Sequence, residues 1–165
     1  TESVPTRNKE VAEASPAEAP LSVMIFACPQ CRETTHEVCG AKSEQISPNV
    51  QTRVVDVPWS GRVDTLQLMH AFESGADAVM VAGCQPGECF FNTGNLHVTQ
   101  RVKRIADWLD GCGLERDRVH MMHLTPGDHD SLTNALDDLT KRTGICGPSP
   151  LRRTASSATL ASTSG

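Results

Sequence analysis

Four cysteines fall into two short pairs, Cys28-Pro29-Gln30-Cys31 and Cys84-Gln85-Pro86-Gly87-Glu88-Cys89. Each pair follows an apolar run, Val23 to Phe26 for the first and Ala78 to Ala82 for the second. Three chemistries use such cysteines. A structural zinc site takes four nitrogen or sulfur ligands in a tetrahedron, commonly from two C-x(2–4)-C pairs. A strand followed by C-P-Q-C has the outline of a thioredoxin-type dithiol, in which a helix N-terminus lowers a thiol pKa. An iron–sulfur cluster is held by four thiolates. Zinc staples serve small folds with little core, and this chain has apolar strands enough to stand without one. The dithiol leaves Cys84 and Cys89 without a task. The cluster uses all four cysteines and explains the loops as well. Gly83 and Gly87 bracket the second pair and would let backbone N–H groups approach sulfur, while Pro29 and Pro86 stiffen both turns. An iron–sulfur site on Cys28, Cys31, Cys84 and Cys89 is the expectation. A thiol–disulfide oxidoreductase using Cys28 and Cys31, or a zinc-stapled adaptor, are the alternatives.

For the two pairs to meet, the strands before them must be neighbours. Strands are expected at 23–26, 52–57 (stopped by Pro58), 78–82 and 119–124. Between them lie helical patterns. A short helix is expected within 32–40, and one over 63–73 with Leu66, Met69 and Phe72 near one face. Val98, Val102, Ile105 and Leu109 share one stripe of a third helix, which Gly111 and Gly113 end. A last helix over 130–143 buries Leu132, Ala135, Leu136 and Leu139. Strands alternating with helices imply βαβ units, hence an α/β fold: a small parallel-sheet, flavodoxin-like or Rossmann-like three-layer sandwich. In such sheets ligands sit at the carboxyl ends of strands, where both cysteine pairs fall.

The chain has 165 residues, room for one domain with a core. Residues 1–20, rich in Ala, Pro, Glu and Ser, and 148–165, rich in Ser, Thr and Ala, are expected to be disordered extensions around a domain at 21–147. A net charge of −5 gives no basic footprint for nucleic acid or anionic membrane, and the lack of Tyr leaves little to stack on bases. No apolar run is long enough to span a bilayer, and no leader-like pattern opens the chain, so a cytoplasmic location is expected. Seven cysteines, an odd number, then argue for metal ligands or redox thiols over disulfides. No G-x-G-x-x-G or P-loop follows a strand, so a nucleotide lacks its usual phosphate cradle.

Further motifs accompany the cysteines: Ser60-Gly61-Arg62-Val63-Asp64 after strand two, Gly83-Cys84-Gln85-Pro86-Gly87-Glu88-Cys89, then Gly94-Asn95 and Arg101-Val102. In order and separation these resemble the small delta subunit of methyl-viologen-reducing nickel–iron hydrogenase, a family that accompanies heterodisulfide reductase. The similarity covers about residues 22–145. The family pattern runs C-x-x-C, then C-S-G-R-I/V-D, then G/A-C-H-P-G-D/E-C, G-N and R-V. This chain departs from it at Trp59, where the family has a cysteine, at Ala27-Cys28 in place of a double cysteine, at Gln85 for the loop histidine, at Phe90-Phe91, and at Thr125 to Asp128. The resemblance implies a 2Fe-2S cluster held by Cys28, Cys31, Cys84 and Cys89. It implies an electron-transfer subunit without substrate chemistry of its own. Its partners would be a hydrogenase or other dehydrogenase subunit and a flavin-containing heterodisulfide-reductase-like A subunit; related subunits also serve aromatic acyl-CoA-reducing complexes.

Arg62 follows the Trp59-Ser60-Gly61 turn at the same sheet edge, where a cation would raise a cluster's potential or simply form a surface ion pair. Cys39, Cys112 and Cys146 read as small buried apolar residues. The histidines, His120 and His123 included, read as packing or surface residues. Phe90 and Phe91 beside Cys89 suit a shield or a docking surface.

Overall fold

The computed structural model describes residues 19–41 and 49–152. Most of the expected N-terminal extension (1–18) and residues 153–165 of the expected C-terminal tail lie outside the described residues. Four strands, β1 (Leu21–Ala27), β2 (Val50–Asp56), β3 (Ala78–Gly83) and β4 (Val119–His123), form one parallel sheet in the order β2-β1-β3-β4. Over these four strands this is the flavodoxin-like order. Among the described residues four α-helices cover the sheet: α1 (Pro29–Ala41), α2 (Thr65–Glu73), α3 (Gly94–Gly111) and α4 (His129–Cys146).

Strand alternation sorts the core into two layers. Val23, Ile25, Ala78, Met80 and Ala82 face α1 and α4, meeting Val38, Leu132, Leu136 and Leu139. Phe26, Val79 and Val81 face α2 and α3, meeting Leu68, Phe72, Val98, Val102, Ile105 and Leu109. Every residue of β3 is buried, as a central parallel strand covered on both faces requires. The stripe expected on α3 is the one that packs, with all four residues 5% exposed or less.

Two helix starts differ from the sequence expectation. The chain turns into α1 directly at Pro29, with no intervening loop, because proline at the first helical position is preset in φ and gives up no needed N–H. The second helix begins at Thr65, two residues later than expected, after a single 3-10 turn at Ser60–Arg62. Asp64 and Gln67 form a reciprocal capping box there: the Gln67 N–H donates to Asp64 Oδ1 at 2.8 Å, and the Asp64 N–H donates to Gln67 Oε1 at 3.0 Å. The buried face of α2 is Leu68, Ala71 and Phe72, with Met69 partly buried beside them, whereas Leu66, expected on that face, is 68% exposed.

At the amino-terminal edge of the sheet a carboxylate ties the start of β1 to residues 149–152. Asp77, fully buried, accepts from the Ser22 N–H (2.8 Å), the Ser149 N–H (2.7 Å) and Arg152 Nη1 (3.1 Å). Arg152 also donates to the Pro20 carbonyl at 2.9 Å, and the buried Arg118 donates to the carbonyls of Asp77 and Gly147. Residues 148–152, assigned above to the tail, are thus fastened to the domain.

On the edge strand β4, burial holds the His120 pKa below its usual 6.5; nearby Arg142 acts the same way and Asp138 opposes. The folded state therefore binds this proton less readily than the unfolded chain. The neutral imidazole's contribution is complete above pH 6.5 and is lost as the pH falls through the lowered folded-state value. A His120→Gln variant is expected to show a shallower fall in urea midpoint below pH 6.5 than the parent chain. Superimposable pH profiles would refute this.

Candidate metal centre

The sequence brings Cys28 and Cys84 together because β1 and β3 are adjacent; the Cys28 N–H donates to the Ala82 carbonyl at 3.2 Å. The order β2-β1-β3-β4 reverses direction between these two strands, so both cysteine loops open at the topological switch point, where such folds bind ligands.

All four thiols are buried: Cys28 2%, Cys31 0%, Cys84 4% and Cys89 7% exposed. They form a chain of contacts in which Cys28 meets both Cys31 and Cys84, and Cys84 meets Cys89. Cys28 stands where a helix N-cap residue stands: its carbonyl accepts from the N–H groups of Cys31 (2.9 Å) and Arg32 (2.8 Å). Its sulfur faces the N–H groups of Gln30 and Cys31, and that of Cys84 from the other loop. The Cys31 thiol and these amides hold the Cys28 pKa down to about 6, against the opposing effect of burial. Cys31 is pushed well up, because it donates to Cys28 and lies buried beside its negative charge. Burial and the neighbouring Cys28 charge raise Cys84 to about 12. One thiolate is welcome here, and further thiolates need a cation to neutralise them.

Cys28, Cys84 and Cys89 line a cavity of about 270 Å³ with Pro29, Gln30, Pro58, Trp59, Phe90 and Phe91. Cys31 lies behind it, its thiol 3.7 Å from the Leu124 carbonyl. Among the described residues no group of three or more His, Cys, Asp or Glu side chains is disposed to hold a metal ion. Three of the thiols line the cavity and the fourth, Cys31, stands behind Cys28.

Trp59 fills the space between the 3-10 turn and the start of α3. A Cβ on Gly61 would lie 2.3 Å from the indole, and one on Gly94 would lie 2.8 Å from the indole and 3.5 Å from the Cys89 sulfur. The Trp59 ring stacks obliquely on Phe91 at 4.9 Å. Arg101 holds this turn from α3, donating to the carbonyls of Gly61 (2.6 Å) and Val63 (3.0 Å).

Other expected residues have different surroundings. Arg62 is exposed and does not line the cavity. Gly83 makes room for Met121 and Ser60, whose atoms would lie 2.9 and 3.3 Å from an added Cβ. Gly87 has φ +86°, a turn conformation that suits glycine. Cys112, expected to be buried, is exposed just past the end of α3, and Cys39 and Cys146 are half-buried. Two residues support the site in ways the sequence did not announce. His123, expected as a packing or surface residue, donates from Nδ1 to the Cys84 carbonyl at 3.1 Å. Asn95, noted only within the Gly-Asn motif, donates to the carbonyls of Cys84 and Gln85.

Fold and site together define a small doubly wound α/β protein with a cysteine-lined cavity at its switch point. Among such proteins, this chain belongs to the family of the delta subunit of methyl-viologen-reducing hydrogenase, which matches residues 23–145. It is 36% identical over 131 residues to the vhu iron-sulfur subunit of the F420-non-reducing hydrogenase of Methanococcus voltae, covering 79% of this chain and 96% of that one. The corresponding protein of Methanocaldococcus jannaschii is 34% identical over 130 residues, with the same coverage. A 126-residue segment is also 25% identical to part of the large A subunit of the ferredoxin/F(420)H(2)-dependent CoB-CoM heterodisulfide reductase of Methanosarcina acetivorans. That match takes in 76% of this chain and 16% of the longer protein.

Proposed function

We propose that this chain is a cytoplasmic electron-transfer subunit holding one iron–sulfur cluster, of the 2Fe-2S type, on Cys28, Cys31, Cys84 and Cys89. The observation that carries the reading is the string of four buried thiols on two adjacent loops, one sulfur already faced by three backbone N–H groups. A 2Fe-2S cluster spreads its ligands over two irons, so it does not ask all four sulfurs to meet at one point. Bound there, the cluster supplies reversible uptake and release of single electrons. The amides facing Cys28 favour its thiolate, and Trp59, Phe90 and Phe91 limit water around the sulfurs. The names of the relatives support this content, since the hydrogenase relatives are called iron-sulfur subunits.

The partners we propose are a hydrogenase- or dehydrogenase-type subunit as donor and a flavin-containing heterodisulfide-reductase-like A subunit as acceptor. Similarity to a segment of a heterodisulfide reductase A subunit supports the second. Phe90 is 84% exposed and Phe91 48%, both at the rim of the cavity, a placement suited to close approach of another redox protein. Phe90→Asp is expected to keep thermal stability within about 0.5 kcal/mol, as for ordinary surface changes, and to keep its iron. The variant should lose the partner subunits that co-purify with the tagged parent chain from its source. Undiminished co-purification would rule out this surface.

The full chain, produced anaerobically and supplied with iron and sulfide, should be reddish-brown, bleach with dithionite, and contain iron and acid-labile sulfide in equal amounts. A colourless, metal-free protein, or one that takes up zinc in preference to iron under the same conditions, would overturn the proposal.

A further inference from the structure

Asn95, the second residue of α3, is fully buried. Its Nδ2 donates to two successive carbonyls, Cys84 at 3.1 Å and Gln85 at 2.9 Å. The start of the second cysteine loop is tied from the opposite side as well. His123 Nδ1 donates to the same Cys84 carbonyl, and Gln85 Nε2 donates to the His123 carbonyl at 3.1 Å. Asn95 Oδ1 has no hydrogen-bond partner among the described residues. A buried acceptor left unpaired is unfavourable. Turning the amide over would set Oδ1 against two carbonyl oxygens, which is worse, so the two donations fix the orientation. Asp is nearly isosteric with Asn but has no N–H to donate, and its charge would face both carbonyls. Leu fills the space and donates nothing.

We infer that Asn95 is a positioning residue for the metal centre. Holding the Cys84 and Gln85 carbonyls fixes the torsions at Gln85 and the plane of the peptide that follows Cys84. The Leu124 N–H holds the plane before it by donating to the Gly83 carbonyl at 2.8 Å, so the direction in which the Cys84 sulfur is presented is set from both sides. The same stretch carries the Cys84 N–H that faces the Cys28 sulfur, so the clamp governs one sulfur directly and the surroundings of another. This inference rests on the iron–sulfur reading for its ligand, whereas the clamp itself is testable without iron.

The test uses the full chain as Asn95→Asp and Asn95→Ser, with Asp77→Asn at the opposite sheet edge as a control for general destabilisation. In iron-loaded protein, Asn95→Asp should release iron to a ferrous chelator about tenfold faster than the parent, the scale of effect typical of groups that orient metal ligands. It should also change the electron paramagnetic resonance spectrum of the reduced protein. Asn95→Ser, which keeps one donor, should fall between, and it carries the test if Asn95→Asp does not fold. Asp77→Asn should keep the parent spectrum at a lowered melting temperature. Parent-like iron release and spectra in both Asn95 variants would overturn the inference while leaving the cluster in place. If the parent chain binds no iron, the proposed function fails on its own account. Hydrogen exchange in metal-free protein then decides the clamp: the amides of Cys84, Gln85 and residues 87–89 should exchange faster in the Asn95 variants with those of β1 unchanged, and equal rates would overturn it.

Discussion

Exchanging Cys84 for serine should leave the chain nearly free of iron. On the proposed reading the Cys84 thiolate is a ligand, and a serine hydroxyl stays protonated at neutral pH and does not replace it. Cys84 is also the central link between the two loops, touching Cys28 on one side and Cys89 on the other. Its removal would therefore take away one proposed ligand and disconnect the others. Iron per chain after anaerobic loading is expected to fall to about a tenth of the parent value or less, a loss at least as large as that usual for groups that merely orient a ligand. Cys112→Ser is the matched control: this thiol is exposed just past the end of α3, away from the cavity, and its loss should change nothing. Iron content in Cys84→Ser equal to that of the control would mean that the second loop holds no metal.

The largest expected effect on folding lies at the opposite edge of the sheet. Asp77→Ala should cost about 3 kcal/mol, the lower end of the range for removing one partner of a buried ion pair. The variant leaves the N–H groups of Ser22 and Ser149 and one face of Arg152 without their acceptor. Ser149 is 2% exposed, so its amide cannot simply turn to water while the segment stays docked. Two readouts separate local from global effects. The urea midpoint should drop, and trypsin should cut after Arg152 faster than in the parent, where that side chain is engaged by Asp77 and the Pro20 carbonyl. An unchanged midpoint would show the carboxylate to be dispensable.

These two edges also show what the sequence made legible. The cysteine loops could be located because each follows an apolar run of strand length, and neighbouring parallel strands bring such loops to one edge. The α3 stripe was visible because four apolar residues recur at helical spacing on a long helix. Much of what surrounds the thiols was hidden, since it consists of single side chains reaching across the chain. Asn95 stood out only as half of the Gly-Asn motif, with no sign that its amide reaches back eleven residues to the Cys84 carbonyl, and His123 reaches the same carbonyl from thirty-nine residues away with no pattern at all. The start of α2 was readable after all in Asp64 and Gln67, a capping box three residues apart, but an apolar Val63 drew the boundary earlier. Val63 is buried because Arg101 draws in the 3-10 turn before it, which no local rule reports. The docking of residues 148–152 was masked by their composition. Pro148, Ser149 and Pro150 look like linker, and only a buried carboxylate seventy-two residues earlier makes Ser149 part of the core.

The tie between Arg152 and the Pro20 carbonyl has an architectural corollary. It places the points where the polypeptide enters and leaves the domain side by side, roughly 20 Å from the sulfurs by the rise of a six-residue strand. Domains whose ends meet in this way are readily spliced into or appended to other chains. A covalent neighbour joined at that pole leaves the mouth of the cavity unobstructed, so one folding unit can work as a separate subunit or as a module of a larger protein.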